Sequence, residues 1–273
     1  MKSVEDHAGL EYWDSNWQRQ SLPALWDING QSLGRYVEKA MFAYFAHALA
    51  GKKQQNVNKS LVEVGSACSA VLPLFNTELG YSITGIDYSP AGCAQTRAIL
   101  AREGVTGAVV EADVFSPPPE LLESFDAVVS IGLVEHFSDT GAIIEALAAL
   151  LKPGGVMITS VPNMNGSVGL AQKVLDSAVY EIHVPLTRER LRSAHVSAGL
   201  MVEHCDYFLP SNFGVCNLNK TSVRTWYGGL KKVCLAALCR LSMISWWLEQ
   251  RFGRLPTSRL FSPYVNCLSV KPN

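Results

Sequence analysis

The sequence predicts an α/β protein built on a doubly wound, mainly parallel sheet. Three observations carry that prediction. Short β-branched runs alternate with helix-forming stretches from Leu61 onward, the pattern of βαβ crossovers. The first run leads directly into a turn of small residues, VEVGSACSA (62–70). Acids then recur at the ends of successive runs, Glu63, Asp87 and Asp113, where such sheets bind ligands.

The elements follow in order. Residues 10–50 read as helical, RYVEKAMFAYFAHALA (35–50) stopping at Gly51. They form an N-terminal helical cap, 1–55, and the polar linker KKQQNVNKS (52–60) separates it from the next unit. The core, 56–208, is expected to hold strands at 61–64, 81–87, 108–113, 125–131, 155–161 and 201–208. Helices are expected at 91–104 and 141–155, and Thr187 caps a further one. A last strand, YVNCLSVKP (264–272), completes the core within 263–273. Between the two late strands lies a basic, apolar helical insertion, 209–262. In it Leu230, Cys234, Ala237, Leu241, Ile244 and Leu248 share one helix face.

Composition narrows the classes. Of the residues 48% are apolar and 17% charged, so the chain has a core to bury. The seven cysteines include no C-x-x-C pair, which excludes an obvious zinc site, and no metal is expected. No signal peptide is read at the N-terminus, so a cytoplasmic location is expected, peripheral to the inner face of the membrane if the tail binds lipid. Residues 1–209 carry 14 Lys and Arg against 23 Asp and Glu, whereas residues 210–273 carry nine against one. That asymmetry suits an anionic partner for the tail, or a basic face docked on the chain's own acidic body. Lys231, Lys232 and Arg240 argue against a spanning helix. Residues 226–255 are read as a lid, a homodimer interface or a peripheral membrane contact.

The small-residue turn needs only Gly65 to bend sharply. Three acids at three successive strand ends point to a nucleoside, Asp87 for ribose hydroxyls and Asp113 for an adenine amino group. These motifs resemble those of class I S-adenosylmethionine-dependent methyltransferases of the small-molecule kind. VEVGSACSA is similar to the family's first motif, with Ala67 and Ser69 in place of its second and third glycines. GIDYSPAG (85–92), EADVF (111–115), FDAVVSIGLVEHF (125–137) and LKPGG (151–155) are similar to its later motifs. The resemblance implies a seven-stranded Rossmann-like sheet with its last strand antiparallel. It also implies S-adenosyl-L-methionine as cofactor and S-adenosyl-L-homocysteine as product. Cofactor contacts carried over by the resemblance are Glu63, Gly65, Ser66, Ala67, Asp87, Tyr88, Asp113, Val114, Ser130, Ile131 and Gly132. Tyr12 and Trp13, in an aromatic N-terminal helix, are expected to close over the cofactor.

His136 and His183 are placed as candidate bases for a hydroxyl acceptor, while His195 and His204 are read as structural. PNMNG (162–166) is not an amide-methylase motif, so no nucleic acid is expected. The acceptor is read as a small molecule, anionic or lipid-linked, such as a glycan, lipid-linked compound or secondary metabolite. Two other readings stay open. Gly65-x-Ala67-x-x-Ala70 and Tyr227-x-x-x-Lys231 allow an NAD(P)-dependent oxidoreductase. The missing glycines allow a non-catalytic binding protein.

Overall fold

The computed structural model describes residues 4–50, 59–218 and 226–273. Seven strands form one sheet in the order β3-β2-β1-β4-β5-β7-β6. They are β1 (Ser60–Val64), β2 (Ser82–Asp87), β3 (Gly107–Glu111), β4 (Phe125–Ile131), β5 (Leu151–Pro162), β6 (Met201–Phe208) and β7 (Tyr264–Val270). All neighbours from β3 to β5 pair parallel, and β7 lies antiparallel between β5 and β6. Both readings of the sequence, the doubly wound sheet and the antiparallel last strand, hold.

Helices cover both faces. In chain order they are α1 (Leu10–Arg19), α2 (Tyr36–Ala50), α3 (Leu72–Thr77), α4 (Pro90–Glu103), α5 (Thr140–Ala149), α6 (Ser167–Leu175), α7 (Ser177–Glu181), α8 (Arg188–Ser197) and α9 (Trp226–Phe252). On one face α2 buries Phe45 completely against Phe75 of α3, ring centroids 5.7 Å apart. On the other, Ile143, Ile144 and Leu147 of α5 and Leu191 of α8 are fully buried, with α8 lying against β6 and β7. The central strands are therefore covered on both sides, which is why β1 and β4 are buried at consecutive rather than alternate positions. Helix ends obey local chemistry. The Thr187 hydroxyl accepts the Arg190 N–H at 3.2 Å at the start of α8, and Gly104 closes α4 at φ 66°.

Three expectations need correction. Residues 10–50 are not one helical stretch: α1 and α2 are separated by an irregular segment holding Pro23 and a turn in which Asp27 accepts the Gly30 N–H at 2.7 Å. The helix expected over 141–155 stops at Ala149, and Leu151–Gly155 already belong to β5, which shifts register against β4 between Phe125 and Ala127. Gly155 tolerates no side chain there, because a Cβ would lie 2.8 Å from the Lys152 carbonyl oxygen. Third, α6 and α7 stand where the sequence carries no helix expectation; both are short, and periodicity needs more turns to show. The apolar face through Leu230, Leu241 and Ile244 of α9 points outward, and the buried side runs through Ser242 and Trp246. The linker residues 51–58 lie outside the described residues.

Candidate active site

Strand order reverses between β1 and β4, and a crevice opens beyond their carboxyl ends. There a cavity of about 810 Å³ is lined from the sheet by Gly65, Ala67, Asp87, Asp113 and Gly132, and from above by Tyr12, Trp13 and Trp17 of α1. That volume accommodates a nucleoside and a small second ligand.

The turn after β1 shows why one glycine suffices. Gly65 takes φ 78°, and a Cβ there would stand 3.1 Å from Leu133 Cδ1. Ala67 adds only a methyl group, and its N–H donates to Asp87 Oδ2 at 3.1 Å. Cys68 occupies the left-handed region at φ 56°. Ser69 puts its hydroxyl to use: it donates to Glu63 Oε2 at 2.7 Å and accepts the N–H of Leu72, the first residue of α3, at 3.0 Å. Glu63 is buried beneath the turn, and burial raises its carboxyl to about 7.

Asp87 is held by two backbone N–H groups, from Ala67 and from Ser89 at 2.9 Å. One bond per carboxylate oxygen leaves a lone pair on each for a diol. Burial raises its pKa, and those hydrogen bonds oppose the rise. Tyr88 lines the cavity and donates its hydroxyl to Asp6. Asp113 faces solvent at the next strand end, one oxygen accepting the Phe115 N–H at 2.9 Å, and Val114 beside it is buried. These features fit S-adenosylmethionine: a cradle that a Cβ would close, and two carboxylates spaced along successive strand ends.

Of the residues singled out from sequence, Tyr12, Trp13, Gly65, Ala67, Asp87, Tyr88, Asp113, Val114, Ile131, Gly132, His136 and His183 line this one cavity. Glu63, Ser66 and Ser130 do not. They stand behind the wall, Ser66 against Thr96 at 3.4 Å and Ser130 with no hydrogen bond for its hydroxyl among the described residues. His195 lies far from the cavity, its Nδ1 2.8 Å from Ser269 Oγ.

The roof is fastened rather than draped. Asp14 of α1 accepts from Ser89 Oγ and from the Ala91 N–H, both at 2.9 Å, at the N-terminus of α4. The positive end of that helix favours the carboxylate. Trp13 consequently stands edge-on to His136, centroids 4.8 Å apart, and stacks on Trp17 at 5.5 Å.

Past the roof, Met164, Val179, Ile182, Val215 and Leu218 make an apolar lobe in which three ionisable groups converge. His136 Nδ1–H donates to the Ile182 carbonyl at 2.9 Å, and His183 Nδ1–H to the Val179 carbonyl at 2.6 Å. A carbonyl only accepts, so each neutral ring keeps its bare lone pair at Nε2. Burial lowers both imidazoles, His183 to about 4. Glu135 is the residue that reading the sequence missed. Its carboxyl is buried, Oε1 is 3.9 Å from His136 Nε2, and burial raises it to about 8. Its signal was an acid inside VEHF, directly after a strand end. One ligand atom from each of Glu135, His136 and His183 falls within 4.8 Å of the others, a donor set that also suits a divalent ion such as zinc.

Residues 33–213 match the model of a family described as a methyltransferase domain. The ubiquinone biosynthesis O-methyltransferase of Pseudomonas aeruginosa is 28% identical over 165 residues, 59% of this chain and 65% of the relative, so the match spans just under two thirds of that protein. A structure from echinomycin biosynthesis, concerned with converting a disulfide bond into a thioacetal group, superposes with a TM-score of 0.54 at 26% identity, covering 74% of this chain and 83% of the other. Phosphoethanolamine N-methyltransferase 2 of Haemonchus contortus, solved with S-adenosyl-L-methionine, shares the fold at a TM-score of 0.59 and 18% identity, covering 100% of this chain and 61% of the other.

Proposed function

Because the chain belongs to the methyltransferase-domain family, class I enzymes that use S-adenosylmethionine, we propose that it methylates a hydroxyl oxygen of a small molecule with an apolar body. One observation carries the choice of oxygen: two imidazoles present bare Nε2 atoms in the apolar lobe beside the cofactor crevice. A thiolate or amine needs little help from a base, whereas a hydroxyl gains from one. The similarity to relatives named as O-methyltransferases supports the same atom.

In this reading Asp87 takes the ribose hydroxyls, Asp113 the adenine edge, and the Gly65–Ala67 turn and Gly132 the methionine end. Bound there, S-adenosylmethionine supplies a sulfonium-activated methyl carbon open to in-line displacement. His136 Nε2 receives the acceptor's hydroxyl proton, and Ile182 fixes the tautomer that makes this possible. His183 packs on it at 4.6 Å between centroids, and burial keeps the His136 ring neutral until it takes that proton. Trp13 and Trp17 exclude water, which protects the sulfonium and orients the oxygen.

Two substitutions test this. Asp87→Ala is expected to weaken S-adenosylhomocysteine binding by about tenfold or more, the worth of a hydrogen bond to a charged group, read by calorimetric titration. His136→Gln is expected to lower kcat by about a hundredfold or more with cofactor affinity unchanged. Full activity in His136→Gln overturns the base assignment. The Glu135–His136–His183 convergence supports a second reading, in which a divalent ion polarises the oxygen. Loss of turnover on chelation, restored by zinc or magnesium, favours that reading, whereas turnover that survives chelation favours the imidazole base.

A further inference from the structure

One large surface takes no part in this chemistry. Helix α9 rests on the body by one side: Ser242 Oγ accepts the Phe213 N–H at 2.9 Å, and Trp246 Nε1–H donates to the Ser211 carbonyl at 2.7 Å. Its other side carries Leu230, Val233, Leu241, Ile244 and Trp247, each more than half exposed. Beside it, Leu170 and Val174 of α6 are 66% and 73% exposed and flank an apolar groove of about 530 Å³ between the two helices. Leu260 and Phe261 extend the surface, because the Leu260 carbonyl accepts the Ser167 N–H that opens α6. A contiguous apolar surface of this kind marks an interaction site.

The charges on it are of one sign. Lys232, Arg240, Arg251 and Arg254 are exposed along and just beyond α9, and none forms an ion pair among the described residues. The single acid of residues 210–273, Glu249, is turned inward and accepts the Tyr36 hydroxyl. The expectation of a basic face seated on the chain's own acidic body therefore fails for α9. A two-fold pairing of α9 with a second copy would set these cations against one another with no acid between them. No described helix is long and apolar enough to cross a membrane. Large apolar side chains, a tryptophan and unpaired cations on one helix face match a bilayer interface, with the apolar groups at the acyl boundary and the cations reaching phosphates.

We propose that the outer side of α9 and the rim of α6 dock flat on an anionic lipid surface. The surface adjoins the acceptor lobe through three consecutive residues: Phe213 lines the groove, and Gly214 and Val215 line the cavity. An amphiphilic acceptor lying in the lipid would thus be presented at the lobe's mouth. The docking itself is independent of the methyl-transfer reading and is tested without turnover.

The full chain is floated with phosphatidylcholine vesicles with and without phosphatidylglycerol. Binding is expected to the anionic vesicles, and to fall with salt. The triple variant Lys232→Gln/Arg240→Gln/Arg251→Gln is expected to bind about a hundredfold more weakly, at roughly tenfold or less per cation. Val233→Ser/Ile244→Ser is expected to lose binding as well. All five positions are exposed, so melting temperature and cofactor binding stay at wild-type values and report folding separately. Absence of binding to anionic vesicles, or binding that both variants retain, overturns the proposal. So does a solution dimer that Val233→Ser/Ile244→Ser dissociates in a chain that ignores lipid, which assigns the face to a second copy.

Discussion

Glu135 and His183 pull the pH dependence of stability in opposite directions. Glu135 titrates near 8 in the fold against an ordinary 4.5, so from pH 4.5 upward the native state holds a proton that the unfolded chain releases. Stability from this group is complete below 4.5 and is lost as pH rises through 8. His183 titrates near 4 against 6.5, so the unfolded chain gains a proton first as pH falls, and stability drains from 6.5 toward 4. Glu135→Gln keeps the shape and removes the acid. Its melting temperature is expected to match wild type near pH 4 and to exceed it by a growing margin up to pH 8. A constant offset across that range would show that the carboxyl is not held neutral. The same scale shows what a motif conceals. Asp87 and Asp113 were legible because strand ends announce themselves in sequence. Glu135 was not, because one acid in VEHF carries no sign that it is buried, and the partner that makes it interesting, His183, stands 48 residues away. Ser69 teaches the converse. In sequence it is a lost glycine, yet in the fold its hydroxyl ties Glu63 to the first turn of α3.

At the scale of elements, α1 depends on a few polar contacts. None of its residues is fully buried, and Asp14 is its anchor on α4. Asp14→Ala is therefore expected to leave the melting temperature within about a degree, as surface changes usually do, while weakening S-adenosylhomocysteine binding several-fold and letting trypsin cut faster after the exposed Arg19. Unchanged affinity would mean that the helix does not cover the cofactor. Long elements with strong periodicity, such as β4 and β6, were legible to the residue. Short ones were not, and α9 shows a different limit. Its apolar stripe was visible, but pattern assigns a stripe to a core by default, and here both sides of the helix are apolar enough to compete. The side that won offers Ser242 and Trp246, whose polar atoms meet a backbone N–H and a carbonyl of the loop after β6.

At the scale of the whole molecule, charge is divided unevenly along the chain. The body, residues 1–209, is acid-rich, and cations gather past residue 210. An anionic surface attracts the exposed cations along α9 before contact is made, which favours the approach of this helix first. Fold class and crevice followed from sequence because they depend on neighbours in the chain. Which face meets which did not, because it depends on packing between parts that sequence keeps far apart.

The place of β7 has a consequence for how the protein is made. It sits inside the sheet, between β5, which ends at Pro162, and β6, which ends at Phe208. On the ribosome, five strands can zip together while the sixth waits without its partner for Tyr264–Val270 to be synthesised. Through that interval β5 offers an open edge, and the outward side of α9 has already been translated. The nascent chain is thus at its most adhesive just before β7 emerges, when a chaperone or a nearby membrane has the most to offer it.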